Sequence, residues 1–163
     1  MRLEFVRGDL IEMVKLGKLD AVAHGCNCFH TMGSGIAPQL NNLTDGYLLK
    51  ADQQQSPYGD INKLGDFSLL TYFVNSRKVI FGNLYTQFSY GSNNNGEIYI
   101  HWDSFLESMR GFLDVCDGRR VGIPYIGCGL AGGSEYVFRK YLEILEKEFS
   151  SSSTVLYVVE YHK

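Results

Sequence analysis

Ile123-Pro-Tyr-Ile-Gly-Cys-Gly-Leu-Ala-Gly-Gly133 decides how this chain is read. Val121 to Ile126 is apolar and reads as a strand, and it runs directly into the glycines. Ser134 then offers a cap for a helix on which Val137, Tyr141, Leu142, Leu145 and Phe149 share a face. Strand, glycine loop and helix in that order make one βα unit. A second unit of the same kind lies upstream. Ala21-Val-Ala-His24 is a strand that enters Gly25-Cys-Asn-Cys-Phe-His-Thr-Met-Gly-Ser-Gly-Ile-Ala37, and apolar residues at 36, 37, 40 and 43 continue it at helical spacing.

Glycine lets main-chain N–H groups turn towards a ligand, and a helix N-terminus adds partial positive charge. The charge map points the same way. Residues 21–44, 79–96 and 121–134 contain no Asp, Glu, Lys or Arg, although a fifth of the chain is charged. Burial accounts for such gaps, and so does an anion held by main-chain donors. A net charge of −3 excludes a broad nucleic-acid surface, so anion affinity has to come from local geometry.

The remaining chain fills in an α/β layered domain with a mixed sheet. Leu3 to Val6 is a first strand, and Asp9 is placed to cap a short helix from Ile11 to Lys15. Phe67 to Val74 and Lys78 to Leu84 form a β pair around Asn75-Ser-Arg77, and Gly91 to Gly96 is a loop whose asparagines suit either a lid or a turn. Trp102, Phe105, Leu106, Met109 and Leu113 form a helical stripe, with Cys116 a small core residue beyond it, and Thr154 to Tyr161 is the last strand. Residues 44–63 give no clear pattern. At 163 residues without a linker, the expectation is a single domain over 1–163. No apolar run is long enough to span a bilayer, and Met1 leads straight into strand-like sequence. The four cysteines are therefore expected reduced, in a cytoplasmic protein.

Neither glycine loop is a Walker or a Rossmann motif, because no Lys-Ser/Thr follows and the turn after the first strand reads Gly8-Asp9-Leu10. Together, Gly8-Asp9-Leu10, Cys26-Asn27-Cys28, Gly33-Ser34-Gly35-Ile36-Ala37 and Ile126-Gly127-Cys128-Gly129-Leu130-Ala131-Gly132-Gly133 resemble the macrodomain family. The resemblance implies a three-layer α/β/α fold with a mixed central sheet, and a nucleotide ligand, ADP-ribose or its 1''-phosphate. It implies that Asp9 meets the adenine and Asn27 contacts the distal ribose, with Gly8, Leu10, Gly25 and Cys26 among the substrate-binding residues. The loops of Met32 to Ala37 and Ile126 to Gly132 would then wrap the diphosphate and distal ribose. Asp9 as a helix cap and Asn27 as a turn residue are the plainer readings and stay open.

Within the family, His24-Gly25-Cys26-Asn27-Cys28 is most similar to the branch that hydrolyses ADP-ribose-1''-phosphate to ADP-ribose and phosphate. That branch implies His24 and Asn27 as catalytic residues, with His24 a general acid or the holder of a water. The rivals are a glycohydrolase acting on ADP-ribosylated macromolecules, an O-acyl-ADP-ribose deacylase, and a reader that binds ADP-ribose without turnover. One glycohydrolase group uses a lysine where this chain has Gln87, which cannot form a Schiff base. Tyr85, Phe88 and Tyr90 suit adenine stacking or ordinary packing, and Cys128 suits a nucleophile only if a base lies nearby. His24, Cys26, Cys28 and His30 alternate, but ligands on every second residue of a strand form a line about 20 Å long, unsuited to tetrahedral zinc. No metal and no cofactor is expected, and the chain is expected to act as a monomer off the membrane.

Overall fold

The computed structural model describes residues 1–90 and 97–162, so the Gly91–Gly96 loop lies outside the described residues. Six strands form one sheet: β1 (Arg2–Gly8), β2 (Ala21–Cys26), β3 (Phe67–Val74), β4 (Arg77–Tyr85), β5 (Arg120–Pro124) and β6 (Val155–Tyr161). Their order is β1-β6-β5-β2-β4-β3, parallel throughout except for the antiparallel edge pair β3–β4. The helices are α1 (Leu10–Lys15), α2 (Ala37–Leu43), α3 (Tyr47–Gln55), α4 (Trp102–Val115) and α5 (Glu135–Glu148).

Both faces of the sheet are covered, which is why its central strands are apolar in nearly every position. Ala21, Ala23, Val121, Ile123, Leu156 and Val158 pack under α4 and α5, against Phe105, Phe112, Phe138 and Leu142. Val22, Phe81 and Val159 point the other way, against Leu10 and Val14 of α1, Leu40 of α2 and Leu48 of α3. Successive residues serve opposite cores, as the two-residue strand period requires. This is the three-layer α/β/α arrangement with a mixed sheet expected from the sequence.

Local chemistry sets the ends of the elements. Asp9 caps α1, its Oδ1 accepting from Ile11 N at 2.9 Å and Glu12 N at 3.3 Å. Asn75 and Ser76 close the β3–β4 hairpin with φ of 49° and 67°, a left-handed pair in which Asn is at home. Three boundaries differ from the sequence reading. Residues 44–63, unreadable by pattern, contain α3 and a 3₁₀ turn, Ile61–Lys63, because their cover is short and partly polar. Ser134 stands at the N-cap of α5 but makes no side-chain cap bond, and Phe138, absent from the expected stripe, is buried at its centre. β5 stops at Pro124, not Ile126, since proline has no N–H to continue a ladder.

That last difference shapes the site. β5 stays registered with β6 as far as Pro124–Val159, but pairs with β2 only at Ala21–Val121 and Val22–Gly122. β2 meanwhile remains paired with β4 through Cys26–Tyr85. The sheet thus opens between β2 and β5 at their carboxyl ends. The chain leaves β2 towards α2 on one face and β5 towards α5 on the other, which makes this opening a topological switch point. No helix among the described residues is long and apolar enough to cross a membrane.

Close packing over the sheet gives a test. A Cβ at Gly82 in β4 would overlap the Phe112 ring of α4. Gly82→Ala is expected to cost about 1–3 kcal/mol in urea unfolding. The Gly82→Ala/Phe112→Leu double variant is expected to lose less than the two single losses summed.

Candidate functional site

The opening between β2 and β5 is a cavity of about 910 Å³, within the usual range for a small-molecule site. Its floor is the end of β2 (His24 to Asn27), its two long walls are Met32 to Ala37 and Ile126 to Ala131, and Leu10, Val159, Glu160 and Tyr161 close one end. Of the residues expected there, Leu10, His24, Gly25, Cys26, Asn27, Met32, Gly33, Ser34, Gly35, Ile36, Ala37, Ile126, Gly127, Cys128, Gly129, Leu130 and Ala131 are brought together. Gly8, Asp9 and Gly132 are not part of the lining; Asp9 is occupied as the α1 cap, and Gly132 N donates to Gly129 O within its own turn.

The glycines sort into two kinds. Gly127 has φ of 80°, and a Cβ there would lie 2.6 Å from Ile100 Cγ1. A Cβ at Gly133 would lie 2.6 Å from Gly127 O, so both positions are fixed by packing. At Gly33, Gly35 and Gly129 an added Cβ would meet no protein atom within 4 Å. These three leave the space over the loops open. The N–H groups of Gly33, Ser34, Gly35, Gly129 and Leu130 have no hydrogen-bond partner among the described residues. The lining contains no lysine or arginine among the described residues, and its carboxylates, Glu135 and Glu160, are exposed.

The side chains with reactive potential are quiet. His24 is 1 % exposed, with Nε2 2.6 Å from Asn83 Oδ1 on the neighbouring strand. Burial lowers its pKa against the raising effects of the Asn83 bond and the Asp52 charge, so the ring is neutral at pH 7. That state does not suit the general-acid role expected of it. Burial likewise pushes the Cys128 thiol up to about 11, helped by Glu135, and pushes Cys26 well above its ordinary value. Neither is a thiolate nucleophile at neutral pH. The Asn27 amide is engaged within its own loop. Its Oδ1 accepts from Phe29 N at 2.8 Å, and its Nδ2 donates to Thr31 Oγ1 at 2.6 Å. In this structure the turn reading of Asn27 is the one realised.

Three further positions resolve differently from one another. Gln87 lies on the cavity wall and donates from Nε2 to Ser89 O at 2.8 Å. Of the three aromatics only Tyr90, 54 % exposed, reaches the cavity; Tyr85 is buried, and Phe88 packs on Phe29 with ring centroids 4.9 Å apart. Of the alternating Cys/His set, His24 and Cys26 touch, with Sγ 3.4 Å from Nε2, but Cys28 donates to Gln87 O and His30 faces Ser56, so the four do not converge. Asp103 accepts from Tyr141 OH at 3.1 Å, outside the lining.

The sequence reading missed Thr31, Gln39, Pro124, Tyr125, Glu135, Val159, Glu160 and Tyr161. The last three stand at the end of β6, and only the sheet order, with β6 beside β5, brings them to the cleft. No short-range signal marks them.

Comparison with known proteins places this geometry. No protein-family model matches the chain. The chain is 43% identical over 138 residues to an uncharacterized 17.5 kDa protein in the tk-vs intergenic region of Enterobacteria phage T4, covering 82% of this chain and 83% of that protein. Among solved structures, the macrodomain of Mycobacterium tuberculosis DarG superposes with a TM-score of 0.69 at 16% identity, over 95% of this chain and 96% of that one. The Trypanosoma brucei macrodomain in complex with ADP-ribose gives a TM-score of 0.67 at 14% identity, over 99% of this chain and 64% of that one. The fold is that of the macrodomains.

The two kinds of glycine predict opposite responses in the free protein. Gly127→Ala should lower stability by about 1–3 kcal/mol, from left-handed strain and the Ile100 contact. Gly129→Ala should change it by less than about 0.5 kcal/mol. Thermal melts of the two variants check this.

Proposed function

We propose a function on this premise: the chain belongs to the family of the phage T4 protein, and its fold is that of the macrodomains. In this reading it binds ADP-ribose in the cleft and hydrolyses ADP-ribose-1''-phosphate to ADP-ribose and phosphate. The observation that carries the binding is the set of unpartnered N–H groups on two loops around a wall without Lys or Arg among the described residues. Main-chain donors of this kind hold a diphosphate without a cationic side chain. The base rests against Leu10, Val159 and the exposed ring of Tyr161, with Glu160 as acceptor for its amino group. The distal ribose lies over Gly25 and His24, where β2 ends. The chain acts over 1–163 as one monomeric unit, with no metal or cofactor.

Hydrolysis follows from position more than from strong acid or base groups. His24, neutral, holds a water at the floor. The water oxygen bonds to phosphorus as one of its protons passes to His24, the bond from phosphorus to the ribose oxygen breaks, and that oxygen takes a proton from solvent. His24 then returns its proton to solvent. A lysine-dependent glycohydrolase is disfavoured, since Gln87 stands where that lysine would be and the described wall has none. A reader without turnover is favoured by one observation, that the Asn27 amide and His24 Nε2 are both satisfied inside the protein.

Gly129→Val separates the binding claim from folding. The variant is expected to keep its melting temperature and to lose ADP-ribose affinity at least tenfold by calorimetry, because its side chain fills the ligand's space. Retained affinity would remove the loop assignment. In the same preparation, phosphate release from ADP-ribose-1''-phosphate, reduced at least tenfold in His24→Ala, supports the phosphatase. Binding without release leaves the reader.

A further inference from the structure

Beneath the cleft floor runs a chain of buried polar side chains that binding alone does not require. His24 Nε2 meets Asn83 Oδ1 at 2.6 Å. Asn83 Nδ2 donates to Leu48 O at 3.2 Å and to Ser68 Oγ at 3.0 Å. Ser68 Oγ lies 2.9 Å from Tyr85 OH, which donates to Asp52 Oδ1 at 2.7 Å. His24, Asn83, Ser68, Tyr85 and Asp52 are each no more than 1 % exposed.

Donor and acceptor rules give this chain one direction. A carbonyl only accepts, so Leu48 O requires the Asn83 NH₂ group on its side and turns Asn83 Oδ1 towards His24. Ser68, accepting from Asn83, has its own proton for Tyr85, and Tyr85 passes its proton to Asp52. Every donor therefore faces Asp52, and the orientation of the Asn83 amide is over-determined. An amide oxygen fixed beside His24 Nε2 needs a proton there.

We propose that Asn83 is the positioning residue of the site: it holds His24 as the Nε2–H tautomer, leaving Nδ1 as the unprotonated acceptor with which His24 holds the water. This rests on the reading of His24 as the water-holding residue. The other groups around the ring fit the assignment. Cys26 Sγ, 3.4 Å from Nε2 and 4.0 Å from Nδ1, has Asn83 Oδ1 at 3.7 Å as the acceptor for its weak thiol proton, and no cation among the described residues contacts the ring. Lys63 Nζ is turned away, 3.0 Å from Ser56 Oγ and over the Tyr85 ring. His30 faces Ser56 and Asp52 on the far side of the network.

Histidine-selective ¹⁵N NMR on the full chain tests the tautomer without reference to activity. The wild type is expected to show a pyrrole-type nitrogen at Nε2 and a pyridine-type nitrogen at Nδ1 of His24. Asn83→Leu removes the acceptor and is expected to mix the tautomers, with phosphate release reduced roughly 10- to 100-fold in kcat. Asn83→Asp keeps an acceptor and adds negative charge, so it is expected to retain Nε2–H and to raise the titration midpoint of His24, moving the acid limb of the pH–rate profile to higher pH. A proton on Nδ1 in the wild type, or an unchanged His24 titration in Asn83→Asp, overturns the proposal. If the tautomer is as expected but no variant releases phosphate, the phosphatase reading fails and the positioning of His24 stands. The wild-type spectrum decides the tautomer even if Asn83→Leu does not fold.

Discussion

Everything that shapes the cleft of this protein depends on the short partnership between β2 and β5. These strands lie at the middle of the sheet, yet they pair at only Ala21–Val121 and Val22–Gly122 before they part. Continued pairing would close the sheet over the space that is now the cleft. Pro124, which cannot donate to a ladder, ends β5 two residues beyond the parting, and each strand is held by its other neighbour, β4 on one side and β6 on the other. The loops then leave towards opposite faces, so their main-chain donors converge on the gap from two sides.

A gap cut into the sheet's centre exposes buried chemistry, and the sequence around it answers that constraint. Charged side chains on the loops would be desolvated or would compete with an anion, and residues 21–44 and 121–134 have none. The polar groups that remain at depth are satisfied in a directed network from His24 to Asp52. Of the buried side-chain polar atoms among the described residues, Thr86 Oγ1 alone has no partner. A fully connected network of this kind fixes rotamers and tautomers in a way that an apolar floor would not.

The fold was legible in the sequence wherever a strand or helix carries its own pattern. β2, β4, α4 and the two glycine loops are local signals, and the structure has them at or near the expected residues. What was not legible depends on contacts far apart in the chain. The Val159–Tyr161 end of the cleft requires knowing that β6 inserts between β1 and β5. The neutral state of His24 comes from its burial, which prevails over the opposing effect of Asn83, 59 residues away. Asn27 and Asp9 were each open between a local and a ligand role from sequence, and in the structure both side chains serve the backbone next to them. Short polar side chains beside a turn or helix start find such partners first, since the entropy of closing that contact is small.

The central claim is that main-chain N–H groups of two loops, with no cationic side chain, hold ADP-ribose in this cleft. An amide NMR titration with ADP-ribose, repeated at low and high salt, tests it most directly. The account predicts the largest shifts at Gly33 to Gly35 and at Gly127 to Leu130, with an affinity that changes little with salt. Shifts centred on lysines or arginines elsewhere, with affinity falling steeply in salt, would contradict it.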